Sequence, residues 1–117
     1  MKPGKRSVCP VACVLDLLGD KWTLLLIRDM ACGKSLFKEF LASPEKIATN
    51  ILSDRLLRLV QHGLVEKRAL AQHSGRDAYV LTEKGRSLIS LLNAVTEWGL
   101  AHIPGTEAKL RPQLKKP

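Results

Sequence analysis

Apolar residues recur at helical spacing in five stretches of this chain and form two short extended runs between the fourth and the fifth. Val8, Val11, Leu15 and Leu18 make the first stripe, one side of a helix at 3.6 residues per turn. Pro10 suits its first turn, where a missing N–H costs nothing. Gly19 stops this helix, and Asp20 is placed to cap the next. Trp22, Leu25, Leu26 and Ile27 mark a mostly buried helix over residues 21–31, ending near Gly33. Ser35 is placed to cap a short helix over residues 36–41, which carries Phe37 and Phe40, before Ser43-Pro44 breaks the chain. Ile47, Ile51, Leu52, Leu56, Leu59 and Val60 then trace one apolar side of a fourth helix. Asn50, Asp54, Arg58 and Gln61 lie opposite, with Ser53 and Arg55 on the flanks, and Gly63 terminates the helix.

Residues 64–71 and 78–82 read as two strands joined by the turn His73-Ser74-Gly75-Arg76. Thr82 is placed to cap a last helix that tolerates Gly85 early on. That helix carries Leu88, Leu91, Leu92, Val95 and Trp98 on one side and ends at Pro104-Gly105. The expected fold is therefore mostly α with a small β-hairpin wing, a winged helix-turn-helix. The layout has a geometric logic. A helix fits the DNA major groove, where base edges present distinguishable donors and acceptors. The preceding helix and the loops hold it through phosphates, and a hairpin tip with Gly and Arg can reach the backbone or the minor groove.

Charge narrows the partner. The chain of 117 residues has a net charge of +8, which favours an anionic partner. Part of that charge sits in the ends: Lys2, Lys5 and Arg6 in residues 1–7, and Lys109, Arg111, Lys115 and Lys116 against Glu107 in residues 104–117. Residues 34–76 hold eight basic residues against four acidic ones, so the footprint is a central segment plus two basic tails. The length is that of one domain, expected over residues 8–103. No apolar run approaches the roughly 18 residues a membrane span needs. The segment from Val8 to Leu18 is broken by Asp16 and lacks a cleavage-type end, so it does not read as a signal peptide. A cytoplasmic protein with no membrane partner is expected. There is no phosphate-cradling glycine loop, no His-Glu-x-x-His and no nucleophile motif, and His62, His73 and His102 are isolated. Neither an enzyme nor a cofactor site is expected.

Cys9-Pro10, followed by Leu15-Asp16-Leu17-Leu18-Gly19-Asp20-Lys21-Trp22-Thr23, resembles the opening signature of the HxlR family of winged-helix regulators, which is related to the MarR group. Gly33, Phe37 and the run Ile47-Ala48-Thr49-Asn50-Ile51-Leu52-Ser53-Asp54-Arg55-Leu56 resemble its helix-turn-helix. Gly63-Leu64-Val65, Tyr79-Val80-Leu81-Thr82-Glu83-Lys84-Gly85-Arg86 and Trp98-Gly99 are similar to its later signatures, so the likeness spans roughly residues 8–102. Two departures stand out. Ala48 occupies the place where many relatives cap the recognition helix with Ser, which makes Thr49 the candidate cap. The wing, residues 73–77, is short and lacks prolines.

The resemblance implies a transcription regulator, a repressor in the expected case, that binds a double-stranded DNA operator as a homodimer. The candidate reading residues are Thr49, Asn50, Ser53, Arg55 and Arg58, since Asn pairs bidentately with adenine and Arg with guanine. Asp54 is an alternative partner for Arg55 within the domain. Lys21, Lys34, Lys38 and Lys46 are candidate phosphate contacts, and Arg76 is one at the wing tip. The dimer seam is expected on the terminal helices, through Val8, Val11, Leu15, Leu88, Leu91, Leu92, Val95 and Trp98, because so small a core cannot bury both apolar sides. Cys9, at a helix start near Lys5 and Arg6, is a candidate redox or electrophile sensor, or else a small apolar residue. A soft-metal site shared by Cys9, Cys13 and Cys32 lacks a supporting ligand motif, so no metal is expected, although a small-molecule effector remains compatible. The other reading of the whole is a winged-helix module for protein or RNA contact, without operator specificity.

Overall fold

The computed structural model describes residues 7–70 and 77–111. Along these run α1 (Pro10–Leu18), α2 (Thr23–Ala31), α3 (Phe37–Leu41), α4 (Thr49–Gln61), β1 (Val65–Ala69), β2 (Asp77–Leu81), α5 (Glu83–Arg86) and α6 (Ile89–His102). Helices α2, α3 and α4 and the hairpin enclose one core. Leu26, Ile27, Phe40, Leu52, Leu56, Leu59, Leu64 and Val65 are all buried in it. Side chains of this kind each stabilise the fold by about 1.5–3 kcal/mol when removed from water. Tyr79 meets Phe40 edge-on, with ring centroids 6.5 Å apart.

The local signals explain most boundaries. Pro10 opens α1 as expected. The Asp20 carboxylate accepts the N–H groups of Trp22 at 3.0 Å and Thr23 at 3.1 Å, and regular α2 begins at Thr23 rather than Lys21, after a turn at residues 21–22. Gly63, at φ 73°, ends α4. The N–H of Leu64 returns to the Leu59 carbonyl, and that of Gly63 to the Val60 carbonyl, both at 3.0 Å. That double return satisfies the last carbonyls and needs a left-handed residue at the turn. The chain is thereby aimed straight into β1.

β1 and β2 pair antiparallel, with Val65 opposite Leu81, Lys67 opposite Tyr79 and Ala69 opposite Asp77. β1 is shorter than the sequence suggests, and β2 has the expected length but begins one residue earlier. The expected turn at residues 73–76 lies outside the described residues.

Two expectations are corrected. Ser35 does not cap α3. Residues 35–36 are drawn to the sheet edge instead: Tyr79 N–H donates to the Ser35 carbonyl at 2.8 Å, and Leu36 bridges Ala78. The Glu39 carboxylate takes over the capping, accepting the N–H groups of Ser35 and Leu36 at 2.9 Å each. The last helix is divided. Thr82 caps α5 by accepting the Gly85 N–H at 3.0 Å, while its own hydroxyl donates to the Gly63 carbonyl at 2.6 Å. Gly85 sits so close to β1 that a Cβ there would lie 2.0 Å from the Leu64 carbonyl oxygen. This short helix is thus held to the foot of the hairpin, and α6 leaves from it after a tight turn at Ser87 and Leu88.

Candidate nucleic-acid interface

Helix α4 divides cleanly. Leu52, Leu56 and Leu59 are buried, whereas Thr49, Asn50, Ser53, Asp54, Leu57 and Gln61 are exposed. Arg58 is partly exposed beside them. The side chains of Asn50, Ser53 and Arg58 are committed to no partner among the described residues. Thr49 is not the cap. Ala48 occupies that position, no side chain caps the helix, and Thr49 is its first residue. The leading N–H groups of α4 therefore have no side-chain acceptor, an arrangement that suits an anion.

Arg55 is occupied elsewhere. Its side chain is only 20% exposed, and its Nε donates to Asp20 Oδ2 at 2.9 Å. A second, short contact joins it to Asp54. This one arginine pins α4 to the start of α2 and makes the pairing with Asp54 that was the alternative to a DNA contact. Burial acts to raise the pKa of Asp20, but hydrogen bonds from Thr23, Arg55 and the Trp22 N–H outweigh it and hold the carboxyl at about 2.

A second polar network braces the segment leading into α4. Arg28 on α2 makes a bidentate contact with Glu45 at 2.8 Å and also holds the buried Asp29 at 2.8 Å. The hydrogen bonds it donates to Glu45, ahead of those to Asp29, raise the guanidinium's pKa despite its partial burial. Ser43 donates to Asp29 at 2.7 Å, and Lys34 Nζ donates to Ser43 at 2.6 Å. Lys34, expected at phosphates, thus ends in a network inside the domain. Lys46 follows at φ 59° and is exposed. Lys38 is exposed on α3, and Lys21 lies 5.2 Å from the Trp22 ring centre. Arg76 falls outside the described residues.

The terminal helices carry most of the exposed apolar surface. On the α1 side, Val8, Val11, Val14 and Leu15 face solvent; on the α6 side, Leu91, Val95, Trp98, Leu100 and Ile103 do. Two expected seam residues turn inward instead: Leu92 is 6% exposed, and Leu88 packs against the core from its edge. Residues 106–110 return along α6 and enclose with α2 an apolar groove of about 270 Å³, lined in part by Leu24, Leu25 and Val95. Arg111 pairs with Glu97 of α6. Cys9 is the exposed N-cap of α1. Cys13 donates to the Ser7 carbonyl at 3.3 Å. Burial raises the thiol pKa of Cys32. Among the described residues, no group of three or more His, Cys, Asp or Glu side chains is arranged to hold a metal ion.

Leu57 is apolar but falls at helical spacing on the polar side of α4, beside Asn50, and in the structure it is exposed there.

Residues 17–107 match the HxlR-like helix-turn-helix family. The chain is 34% identical over 92 residues to an uncharacterized HTH-type transcriptional regulator of Methanothermobacter thermautotrophicus, covering 79% of this chain and 70% of that protein. The crystal structure of PA1607 superposes with a TM-score of 0.79 at 35% identity, covering 96% of this chain and 84% of the other. The redox regulator HypR, in its reduced form, superposes with a TM-score of 0.75 at 32% identity, covering 82% and 95%. Among the described residues, no helix is long and apolar enough to cross a membrane. With its helix-turn-helix, two-stranded wing and these likenesses, the chain belongs to the HxlR-like helix-turn-helix family and is a transcriptional regulator of the winged-helix type.

Proposed function

We propose that the protein binds a near-palindromic double-stranded operator as a homodimer, with one α4 helix in each of two successive major grooves. The observation that carries this is the outward side of α4, where Asn50, Ser53 and Arg58 stand free while Arg55 and Asp20 hold the helix in place. Asn50 and Arg58 offer bidentate donors to adenine and guanine, and Thr49 and Ser53 offer hydroxyls. Lys38 and Lys46 are exposed on α3 and in the segment leading into α4, and with Lys21 they would position the helix through phosphates without reading sequence. The exposed apolar sides of α1 and α6 supply the seam, and a two-fold about them would repeat the reading helix at about one turn of DNA, roughly 34–36 Å.

Selection of operators from random duplexes tests this directly. The expected result is an inverted repeat bound by a dimer, with affinity falling steeply as salt rises. Weak, salt-sensitive binding with no enriched sequence from both reduced and oxidised protein would sink the proposal in favour of a protein- or RNA-binding module.

The likeness to HypR, a redox regulator, supports Cys9 as a sensor. A peroxide would pass one oxygen to the Cys9 thiol, giving a sulfenic acid and releasing water. Because α1 also carries part of the seam, that change would alter the relation of the two halves. Peroxide is expected to shift the operator affinity of the wild-type protein and leave Cys9→Ser unmoved. An equal response in the variant would remove Cys9 from the role.

A further inference from the structure

Among the described residues, the large apolar side chains that face solvent gather on the α1 and α6 sides, with one exception, Leu57. It is 57% exposed, in the third turn of the reading helix. At 100° per residue, Leu57 projects about 20° from Asn50 and about 130° from the mean direction of the buried Leu52, Leu56 and Leu59. It therefore stands in the middle of the outward side, among Asn50, Ser53, Asp54 and Gln61, all exposed. Among the described residues, no other exposed large apolar side chain lies on this helix, so Leu57 is not part of a wider exposed apolar patch on α4 of the kind that a protein partner requires.

We infer that Leu57 is a specificity-determining residue that meets the C5-methyl group of a thymine in each half-site. This rests on the proposed reading of DNA by α4. The thymine methyl is the one apolar group among the base edges of the major groove. A leucine at that point gains by covering the methyl. It also discriminates against adenine and cytosine, whose amino groups would lose water and find no acceptor. The operator is thus expected to hold a thymine at a fixed place in each half, additional to the bases that Asn50 and Arg58 engage.

Replacing thymine by uracil removes only the methyl and leaves base pairing intact, so it is the probe of choice. The selected operator would be resynthesised with uracil at each thymine in turn and titrated with wild-type protein, Leu57→Ala and Leu57→Met. At one thymine per half-site, the wild-type protein is expected to bind about fourfold more weakly to uracil, the worth of burying one methyl. Leu57→Ala should bind the two duplexes equally, and Leu57→Met should keep part of the difference. Because Leu57 is exposed, its thermal midpoint serves as a control and should not move. An operator with no such thymine, or a uracil penalty that persists in Leu57→Ala, would overturn the inference while leaving operator binding by α4 intact. Failure to enrich any operator would instead bring down the proposed function, and this inference with it.

Discussion

Arg55 shows how a residue's role depends on what lies across from it. By sequence it sits on the flank of a polar helix side, where an arginine reads equally well as a guanine contact or as half of an ion pair. Its partner Asp20 is 35 residues away and already serves as the cap of α2. The pair gives a pH signature. The pKa of Asp20 is lowered in the folded state, to about 2, so its stabilisation is complete above the unfolded value near 4 and is lost as pH falls through 2. The size of the effect is about 2 kcal/mol. Urea midpoints measured from pH 5 down to pH 2 are expected to fall more steeply for the wild type than for Asp20→Asn. Parallel curves would show that the carboxylate gains nothing from Arg55, Thr23 and the helix start. Arg58 lies one turn on and has no such partner among the described residues, so its guanidinium is left available for the proposed base contact.

At the level of elements, the junction of α4, β1 and α5 is the best-determined part of the fold. Gly63 turns the chain with a positive φ, Thr82 bonds back to the Gly63 carbonyl, and Gly85 lies against the Leu64 carbonyl. These contacts set the angle at which the wing leaves the reading helix. Gly85→Ala would push a methyl into a backbone oxygen that is itself hydrogen-bonded to Thr82. We expect this variant to lose at least about 1–3 kcal/mol in thermal or urea unfolding, the usual cost of overpacking. Gly99→Ala, which meets nothing within 4 Å, serves as the control and is expected to be near neutral or better, since Ala favours helix. Equal stability of Gly85→Ala and the wild type would mean that this junction yields easily and does not aim the wing.

For the whole molecule, the question is where the apolar surface left over by one protomer goes. The core takes Leu92 and part of Leu88 for itself and leaves Val95 at 49% and Trp98 at 62% exposed. Val11 and Leu15 are similarly uncovered on α1. A charge placed in this surface should prevent association without touching the core. Val95→Glu is expected to sediment as a monomer with unchanged helical circular dichroism. It should also lose about a hundredfold or more in operator affinity, because the second half-site no longer binds in concert with the first. A dimeric Val95→Glu protein with full affinity would place the seam elsewhere.

The order of elements, the cap at Asp20, the stop at Gly63, the core stripe of α4 and the family likeness were all legible in the sequence. Each depends on residues within a few positions of one another, or on a period that repeats locally. Other features depended on contacts between distant segments. Tyr79 draws Ser35 into the sheet and so displaces it from the cap of α3. The Leu64 carbonyl holds Gly85, and the last helix divides there. Asp20 claims Arg55, Ser43 claims Lys34, and the core claims Leu92. The period of α4 already puts Leu57 opposite the core stripe, but its 57% exposure is decided by what the rest of the chain leaves uncovered. Local spacing determined which residues could face outward, and tertiary structure decided which remained free to bind, because a charge or an apolar group is available only when no partner on its own chain has reached it first.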